Sequence, residues 1–345
     1  MAIVGGGMVA KSHLLSIKDL ADEITLTGVL TSSEKSGRAF ARQAADICGY
    51  QVEAYESLDA LCADGKVDWV IVLTPPNARL EIVQSLAAAG KSILMEKPVE
   101  RDLAAATRIV EICEAAGVRL GIVFQHRVRE ASRALAALIK GGALGQLAIA
   151  EVIVPWWREQ AYYDEPGRGT YERDGGGVLI SQAIHSIDLM LSLTGRVFEV
   201  QAMAHTTMLH GMESEDYVTA GLKFESGAVG SLIASTASFP GEAESITLHF
   251  TKCVTHLQSG ELKVKWRDGR EELFGASATT GGGADPMAFT HDWHKDVIAD
   301  FNRNSDEGGT PLVSGREALD VHALIDALIT SSNSTCAAKV PYPEA

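Results

Sequence analysis

The run Gly5-Gly6-Gly7-Met8-Val9-Ala10 constrains the fold more than any other stretch, because a short apolar strand, Ala2 to Val4, precedes it and a helical stretch through about Leu20 follows. A glycine turn at a strand-to-helix junction lets backbone approach a pyrophosphate closely, and the helix N-terminus then supplies amides and positive dipole. A G-x-G-x-x-A string alone is weak and often marks an ordinary turn; its context gives it weight. Only Met1 to Val4 precede the first glycine, short for a first strand, which leaves room for native residues upstream.

The alternation then continues. Strands are expected at Ile24 to Leu30, Gln51 to Ala54, Trp69 to Leu73, Ser92 to Met95 and Arg119 to Phe124. Helices are expected at Ser36 to Cys48, from the Thr74-Pro75-Pro76-Asn77 break to Ala89, and at Leu103 to Ala116. Trp69-Val70-Ile71-Val72-Leu73 is continuously apolar, as a central parallel strand covered on both faces must be. Residues 1–124 thus read as an α/β Rossmann domain with a doubly wound parallel sheet.

From residue 125 to 345 the pattern changes. A helix at Glu130 to Lys140 leads to a strand at Leu147 to Val154. Runs rich in β-branched residues follow at Val218 to Phe224, Val229 to Ser235, Ser245 to Phe250 and Glu261 to Trp266, separated by tight turns. They predict an α+β domain on a large, open, mostly antiparallel sheet. Ala278 to Ala284 reads as a loop, Ala284-Asp285-Pro286 as the start of a helix to about Asn304, and Ser314-Gly315-Arg316-Glu317 as a capping box.

Charge and cysteines narrow the function classes. The chain has 345 residues, 30 Lys and Arg against 45 Asp and Glu, and a formal net charge of −15. A nucleic acid or an anionic membrane needs clustered cations, so neither partner is expected. No apolar run approaches a membrane span and no basic leader is visible. The five cysteines are scattered singly, which fits reduced thiols in a cytoplasmic protein, and no zinc spacing occurs.

Two further segments carry chemistry. Glu96-Lys97-Pro98 delivers a lysine from the C-terminal end of a buried strand, where α/β sheets bind ligands. Gly175-Gly176-Gly177 leads a helix in which Ser181, His185 and Asp188 fall at i, i+4 and i+7, one polar face on an otherwise apolar helix. A lone histidine there would usually be a satisfied core residue; the stripe, the glycines and Lys97 together favour a site. Asp188 reads as structural. At the end of the second strand, where an NAD enzyme usually carries an acid, stand Thr31-Ser32-Ser33, with Lys35 and Arg38 nearby. This favours NADP slightly and leaves NAD possible; the plainer reading is that these hydroxyls cap the next helix.

The glycine turn, Thr74-Pro75-Pro76-Asn77, Glu96-Lys97-Pro98 and the Gly-Gly-Gly…His-x-x-Asp segment resemble, in order and spacing, the Gfo/Idh/MocA oxidoreductases over nearly the whole chain. The resemblance implies hydride transfer between NAD(P) and a secondary alcohol or ketone of a sugar, sugar derivative or cyclic polyol. Lys97 and His185 would be the catalytic pair. Cofactor contacts are then expected from Gly5, Gly7, Met8, Val9, Thr31, Ser32, Ser33, Thr74, Pro75, Asn77, Glu96, Lys97 and Gln125. Substrate contacts are expected from Lys97, Trp157, Arg158, Tyr163, Arg168, Ser181, Gln182 and His185. The long segment from Pro155 to Thr170 is similar to a stretch of sugar and nucleotide-sugar oxidising members, and equally to one in cis-dihydrodiol dehydrogenases. Family habit and an uncovered sheet face suggest a homodimer or homotetramer. Three departures stand out: Ser181 where polyol dehydrogenases carry Asp, Ala183 for a usual Gly, and Arg79 where many relatives carry His. His291 and His294 fall on one helix face or its edge; packing is the expected role of His294, and either could reach the pocket. Two rival readings are a glycoside hydrolase or lyase that uses NAD transiently, and a non-catalytic NAD(P)-binding regulator.

Overall fold

The computed structural model describes residues 1–278, 289–307 and 309–343, with the side chains of 305–307 excepted. Two compact units form. One comprises Met1–Glu100, Ala104–Gln125 and Thr290–Ala318; the other comprises Arg101–Leu103, His126–Phe289 and Leu319–Ala345.

The first unit winds a six-stranded parallel sheet in the order β3-β2-β1-β4-β5-β6. Its chain order is β1 (Ala2–Val4), α1 (Ala10–Asp19), β2 (Gly28–Leu30), α2 (Glu34–Cys48), β3 (Glu53–Ala54), α3 (Leu58–Ala63), β4 (Trp69–Val72), α4 (Arg79–Ala88), β5 (Ser92–Glu96), α5 (Leu103–Ala115) and β6 (Leu120–Val123). β1 pairs with both β2 and β4, Val4 standing opposite Leu30 and Val72. The strand order therefore reverses beside the glycine turn, where open α/β sheets leave a crevice for ligands. All four residues of β4 are buried, as its apolar run predicts. β2 is shorter than the sequence suggests. Ile24 and Leu26 are buried as strand residues would be, but the ladder starts only at Gly28.

In the second unit the order is α6 (Glu130–Lys140), β7 (Leu147–Pro155), α7 (Gln160–Tyr163), a π-helical turn (Leu179–Ala183), α8 (Ile184–Thr194), β8 (Val197–His205), β9 (Tyr217–Phe224), β10 (Val229–Ser235), β11 (Ser245–Phe250), β12 (Cys253–Gln258), β13 (Glu261–Trp266) and β14 (Glu271–Gly275). Further along the chain come α9 (Asp292–Glu307), which belongs to the first unit, α10 (Gly315–Ser334) and β15 (Ala338–Lys339). The nine-stranded sheet runs β14-β13-β12-β11-β7-β10-β9-β8-β15, antiparallel except for the β7–β10 pair. Helices α6 and α8 pack on it. β7 buries Ala150, Val152 and Val154 while Ile149 and Ile153 stay 40% exposed, so one sheet face keeps apolar side chains uncovered.

The units depart from a plain division at residue 124, slightly at Arg101–Leu103 and Gln125 and most at a later segment. Residues 290–318 lie beyond the second sheet in sequence yet belong to the first unit. There α9 packs on α1, β5 and β6, and the Ile122 amide donates to the Val313 carbonyl at 3.0 Å, so this segment covers the β6 edge. Such an edge otherwise presents unpaired backbone groups. The capping box forms as expected, with the Glu317 amide donating to Ser314 Oγ at 3.2 Å and the Ser314 amide to Glu317 Oε2 at 2.9 Å. Beyond Ala278, the expected loop and the helix start at Ala284-Asp285-Pro286 lie outside the described residues.

Candidate active site

The expected cofactor residues of the first unit gather at the C-terminal ends of its parallel strands. Gly5 follows β1 with φ 101°, and a Cβ there would stand 2.9 Å from the Leu73 carbonyl carbon and the Thr74 nitrogen. Only glycine fits a turn that is both left-handed and this close to the β4 exit. α1 begins at Ala10; its cap, Val9, offers no side-chain acceptor, and its first turn holds no acid. The start of the helix thus carries no side-chain cap and no acid of its own, which leaves its positive dipole for an incoming phosphate. Above Gly7 there is open space, and Met8 is 47% exposed. Thr74 after β4 and Gln125 after β6 each bury an oxygen, Oγ1 and Oε1, without a hydrogen-bond partner among the described residues. Buried oxygens without partners are costly and in a native protein call for a ligand or water. These features fit a bound dinucleotide. Pro75 and Asn77 are exposed on the same loop as Thr74.

At the β2 end, Thr31 Oγ1 lies 2.6 Å and Ser33 Oγ 2.7 Å from Ser36 Oγ, and Ser33 Oγ accepts the Ser36 amide to cap α2. Ser32 and Ser33 remain exposed, and Arg38 pairs with Glu34 on the same helix.

Around Lys97 the structure is tightly specified. Lys97 follows β5 and is half-buried. The preceding Glu96 is 7% exposed; its Oε1 lies 2.8 Å from His13 Nε2 and 3.6 Å from His294 Nε2, and the two rings meet edge to face at 5.0 Å. Burial alone would raise the Glu96 carboxyl, but hydrogen bonds and charge from His13 and His294 outweigh it and hold the group well below its ordinary range. His294 thus packs against Glu96, and His291 pairs with Asp19 at 2.9 Å. Arg79, 2% exposed, donates through Nε and Nη2 to the Thr74 carbonyl at 3.0 and 2.7 Å, and through Nη1 to the Glu96 and Pro98 carbonyls. Burial pulls its guanidinium down to about 10, opposed by Glu96 and Glu100, so it stays charged at neutral pH.

In the second unit the glycine segment is held from below. A Cβ on Gly177 would fall 1.8 Å from the Glu215 carbonyl oxygen. The Glu215 carboxylate accepts the amides of Gly177 and Leu179, each at 3.1 Å, and so caps the helix. The expected single polar face does not survive: Leu179–Ala183 is a π-helical turn, and only from Ile184 does α geometry begin. An i+5 turn inserts a residue into the 3.6-residue period and shifts Ser181 relative to His185 and Asp188. Ser181 turns its hydroxyl to the Gly177 carbonyl and to Gln182 Oε1 at 2.5 Å. Gln182 Nε2 donates to Tyr162 Oη at 3.3 Å. His185 is 6% exposed and stacks on His126 with centroids 4.9 Å apart. Asp188, fully buried, takes a two-pronged pair from Arg127 at 2.9 and 2.7 Å, the structural role expected of it.

The expected substrate wall divides. Trp157 is half-buried, donates to Glu159 at 2.9 Å and meets Phe239 edge-on at 5.4 Å. Arg168 spans Glu165 at 2.5 Å and the Tyr162 ring at 4.5 Å. Tyr163 and Arg158 instead point inward. The Tyr163 hydroxyl is 2.6 Å from Thr236 Oγ1 with burial pushing its pKa up, and Arg158 is 2% exposed, its Nη1 donating to the Trp157 carbonyl at 2.7 Å. Sequence reasoning missed His210, whose Nδ1 lies 2.8 Å from Asp216 and whose Nε2 lies 2.8 Å from the Arg158 carbonyl, tying this wall to the β8–β9 connection. It also missed Glu215, His126, Arg127 and His13. The Arg79 departure was visible; its reach to the Lys97 turn was not.

Residues 1–124 match the oxidoreductase family with the NAD-binding Rossmann fold, and residues 132–255 match the GFO/IDH/MocA C-terminal domain. The chain belongs to this family, and its first unit is an NAD-binding Rossmann fold. It is 26% identical over 196 residues to the rhizopine catabolism protein MocA of Rhizobium meliloti, covering 57% of each chain. It is 28% identical to the 1,5-anhydro-D-fructose reductase of Ensifer adhaerens over 66% of each chain. The chain thus spans little more than half the length of MocA and about two thirds of the reductase. Among solved structures, the WlbA dehydrogenase from Bordetella pertussis in complex with NADH and UDP-GlcNAcA superposes with a TM-score of 0.82 at 27% identity, over 99% of this chain and 98% of that one.

Proposed function

We propose that this protein is an NAD(P)-dependent dehydrogenase or reductase that moves a hydride between nicotinamide and a secondary alcohol or ketone of a sugar, sugar derivative or cyclic polyol. The observation that carries the reading is Lys97 on the end of β5, with unpartnered buried oxygens of Thr74 and Gln125 on the ends of the flanking strands. When bound, the cofactor supplies a hydride acceptor or donor at its nicotinamide ring. The glycine turn and the uncapped start of α1 hold its phosphates. Lys97 binds and polarises the reacting oxygen. His185 takes the proton of the alcohol as general base, or returns it in the reducing direction. Trp157 and Arg168 offer an apolar ring and a cation to the substrate, a pairing suited to the C–H face and hydroxyls of a sugar. The 1,5-anhydro-D-fructose reductase and WlbA, in complex with UDP-GlcNAcA, support that class. The hydroxyls at the β2 end favour NADP at least as much as NAD, and scattered single cysteines suit a cytoplasmic enzyme. The uncovered face with Ile149 and Ile153 suits a homodimer or homotetramer; a monomer at micromolar concentration in light scattering would exclude it.

The test is a screen of sugars, inositols and cyclic diols in both directions, following absorbance of the reduced cofactor. Turnover of at least one such substrate is expected. Tightly retained cofactor with glycoside cleavage and no net NAD(P) turnover would replace this reading with transient redox chemistry.

A further inference from the structure

We propose that Arg79 is the positioning residue of the candidate lysine: its guanidinium ties the loop after β4 to the turn after β5 and thereby fixes the backbone that carries Lys97. The proposal rests on the reading of Lys97 given above.

Three loops meet around this one side chain. The Thr74 nitrogen lies 2.9 Å from where a Cβ on Gly5 would stand, so the β4 exit is packed against the glycine turn. The Thr74 carbonyl takes two donors from Arg79, and the remaining donors reach the carbonyls of Glu96 and Pro98, on either side of Lys97. The Val99 carbonyl is 3.5 Å from the same Nη1. A planar fork with donors in fixed directions can span two loops at once, whereas a lysine ammonium presents its donors from one point. Arg79 itself stays within the protein, 2% exposed, so it acts through the carbonyls it holds. Its position at the start of α4 sets the reach, since the helix projects the long side chain back under the strand ends. The side chain of Glu96 is held independently, by His13 and His294, so losing Arg79 would free the backbone around Lys97 without releasing the strand.

Arg79→Lys and Arg79→Gln test this in the full chain. Each should lower kcat on the substrate found by the screen about 10-fold or more, because a misplaced reacting group costs that much. The KM for the cofactor should move by about threefold or less, its phosphates being held elsewhere. Backbone amide exchange at Lys97 and Val99, read by mass spectrometry on the cofactor-loaded protein, should speed up in both variants. In Arg79→Ala, millimolar guanidinium chloride should restore part of kcat while the same concentration of sodium chloride should not. A folded Arg79→Lys or Arg79→Gln with unchanged kcat, or with unchanged exchange at Lys97 and Val99, overturns the proposal. If the wild type turns over nothing, the functional reading fails on its own, and the exchange measurement still decides whether Arg79 holds this turn.

Discussion

Two glutamates, each buried beside a candidate catalytic segment, behave in opposite ways. Glu96 in the parallel-sheet unit is 7% exposed and Glu215 in the open-sheet unit is 5% exposed. Glu96 meets two imidazoles and is driven below its ordinary 4.5 although burial opposes it. Glu215 meets backbone amides instead, those of Gly177 and Leu179 and its own. Burial pushes its pKa up, those amides recover part of the shift, and the neighbouring Asp216 adds to the rise. A carboxylate that meets imidazole rings is held as an anion by their hydrogen bonds and charge, even though burial lowers the pKa of His13 itself; one placed against backbone dipoles in an apolar setting is costly to ionise. The first anchors a strand end, the second caps a helix whose preceding glycines leave no room for anything else.

The comparison breaks most sharply if Glu96→Gln proves harmless. Removing a buried anion that two imidazole rings contact should cost about 3 kcal/mol of stability at pH 7, the upper end for hydrogen bonds to a charged group. The sign follows from the lowered pKa. Stability from Glu96 is fully present above 4.5 and is lost as pH falls through its depressed value, so wild type and variant should converge in acid. Denaturant midpoints measured from pH 7 downward would show it. A gap that stays constant with pH would mean Glu96 is not held as an anion.

Next in size are the two residues these glutamates support. Lys97→Ala and His185→Ala should each lower turnover roughly 10²-fold or more, about 2.7 kcal/mol, with cofactor affinity changed far less. Fluorescence titration with the reduced cofactor separates the cases. Loss of cofactor binding in the Lys97 variant, or intact turnover in either, would make the residue structural.

Glu215→Gln should cost less, about 1 kcal/mol, since the amide oxygen still accepts one of the two backbone amides. Its pH dependence runs the other way. Because the folded pKa is raised, the protonated form stabilises below 4.5 and that stability is lost as pH rises. Wild type should therefore lose ground to the glutamine variant between pH 4.5 and neutral. A wild type that gains on the variant over this range would show that the amides hold the carboxylate ionised after all.

The same two sites show what a sequence exposes. Gly5, Glu96 and Lys97 were readable because parallel strands end where their motif sits, and the alternation of apolar runs with helices fixes those ends locally. The second sheet was partly readable: β9, β10, β11 and β13 announce themselves by β-branched runs and turns, while β12 and β14, studded with His256, Gln258 and Glu272, do not. Residues 290–318 return to the first unit by covering an edge, which no local pattern records. Glu215 was not readable as a cap at all. It lies 38 positions from Gly177, and only the folded chain brings its carboxylate under those amides. The π-helical turn is likewise a tertiary product. The sequence there carries an ordinary apolar helix pattern, and the cap that fixes its start comes from another element.

The smallest expected effect probes the most exposed strand end. Thr31, Ser33 and Ser36 bond one another and cap α2, so part of their hydrogen-bonding capacity is spent within the protein. Ser32 and Ser33 stay exposed, the three positions Thr31 to Ser33 carry hydroxyls rather than an acid, and the next residue, Glu34, is paired with Arg38. NADP should bind at least as well as NAD. Thr31→Asp should shift the preference toward NAD by about threefold, because an acid there accepts the ribose hydroxyls and repels the phosphate. An aspartate at this position can also accept from Ser36, so the helix cap should persist and the melting temperature should barely move. Titration of both cofactors into both proteins decides it. If the wild type already prefers NAD clearly, the hydroxyls serve α2 alone, and even the legible unit contains a strand end whose chemistry is structural.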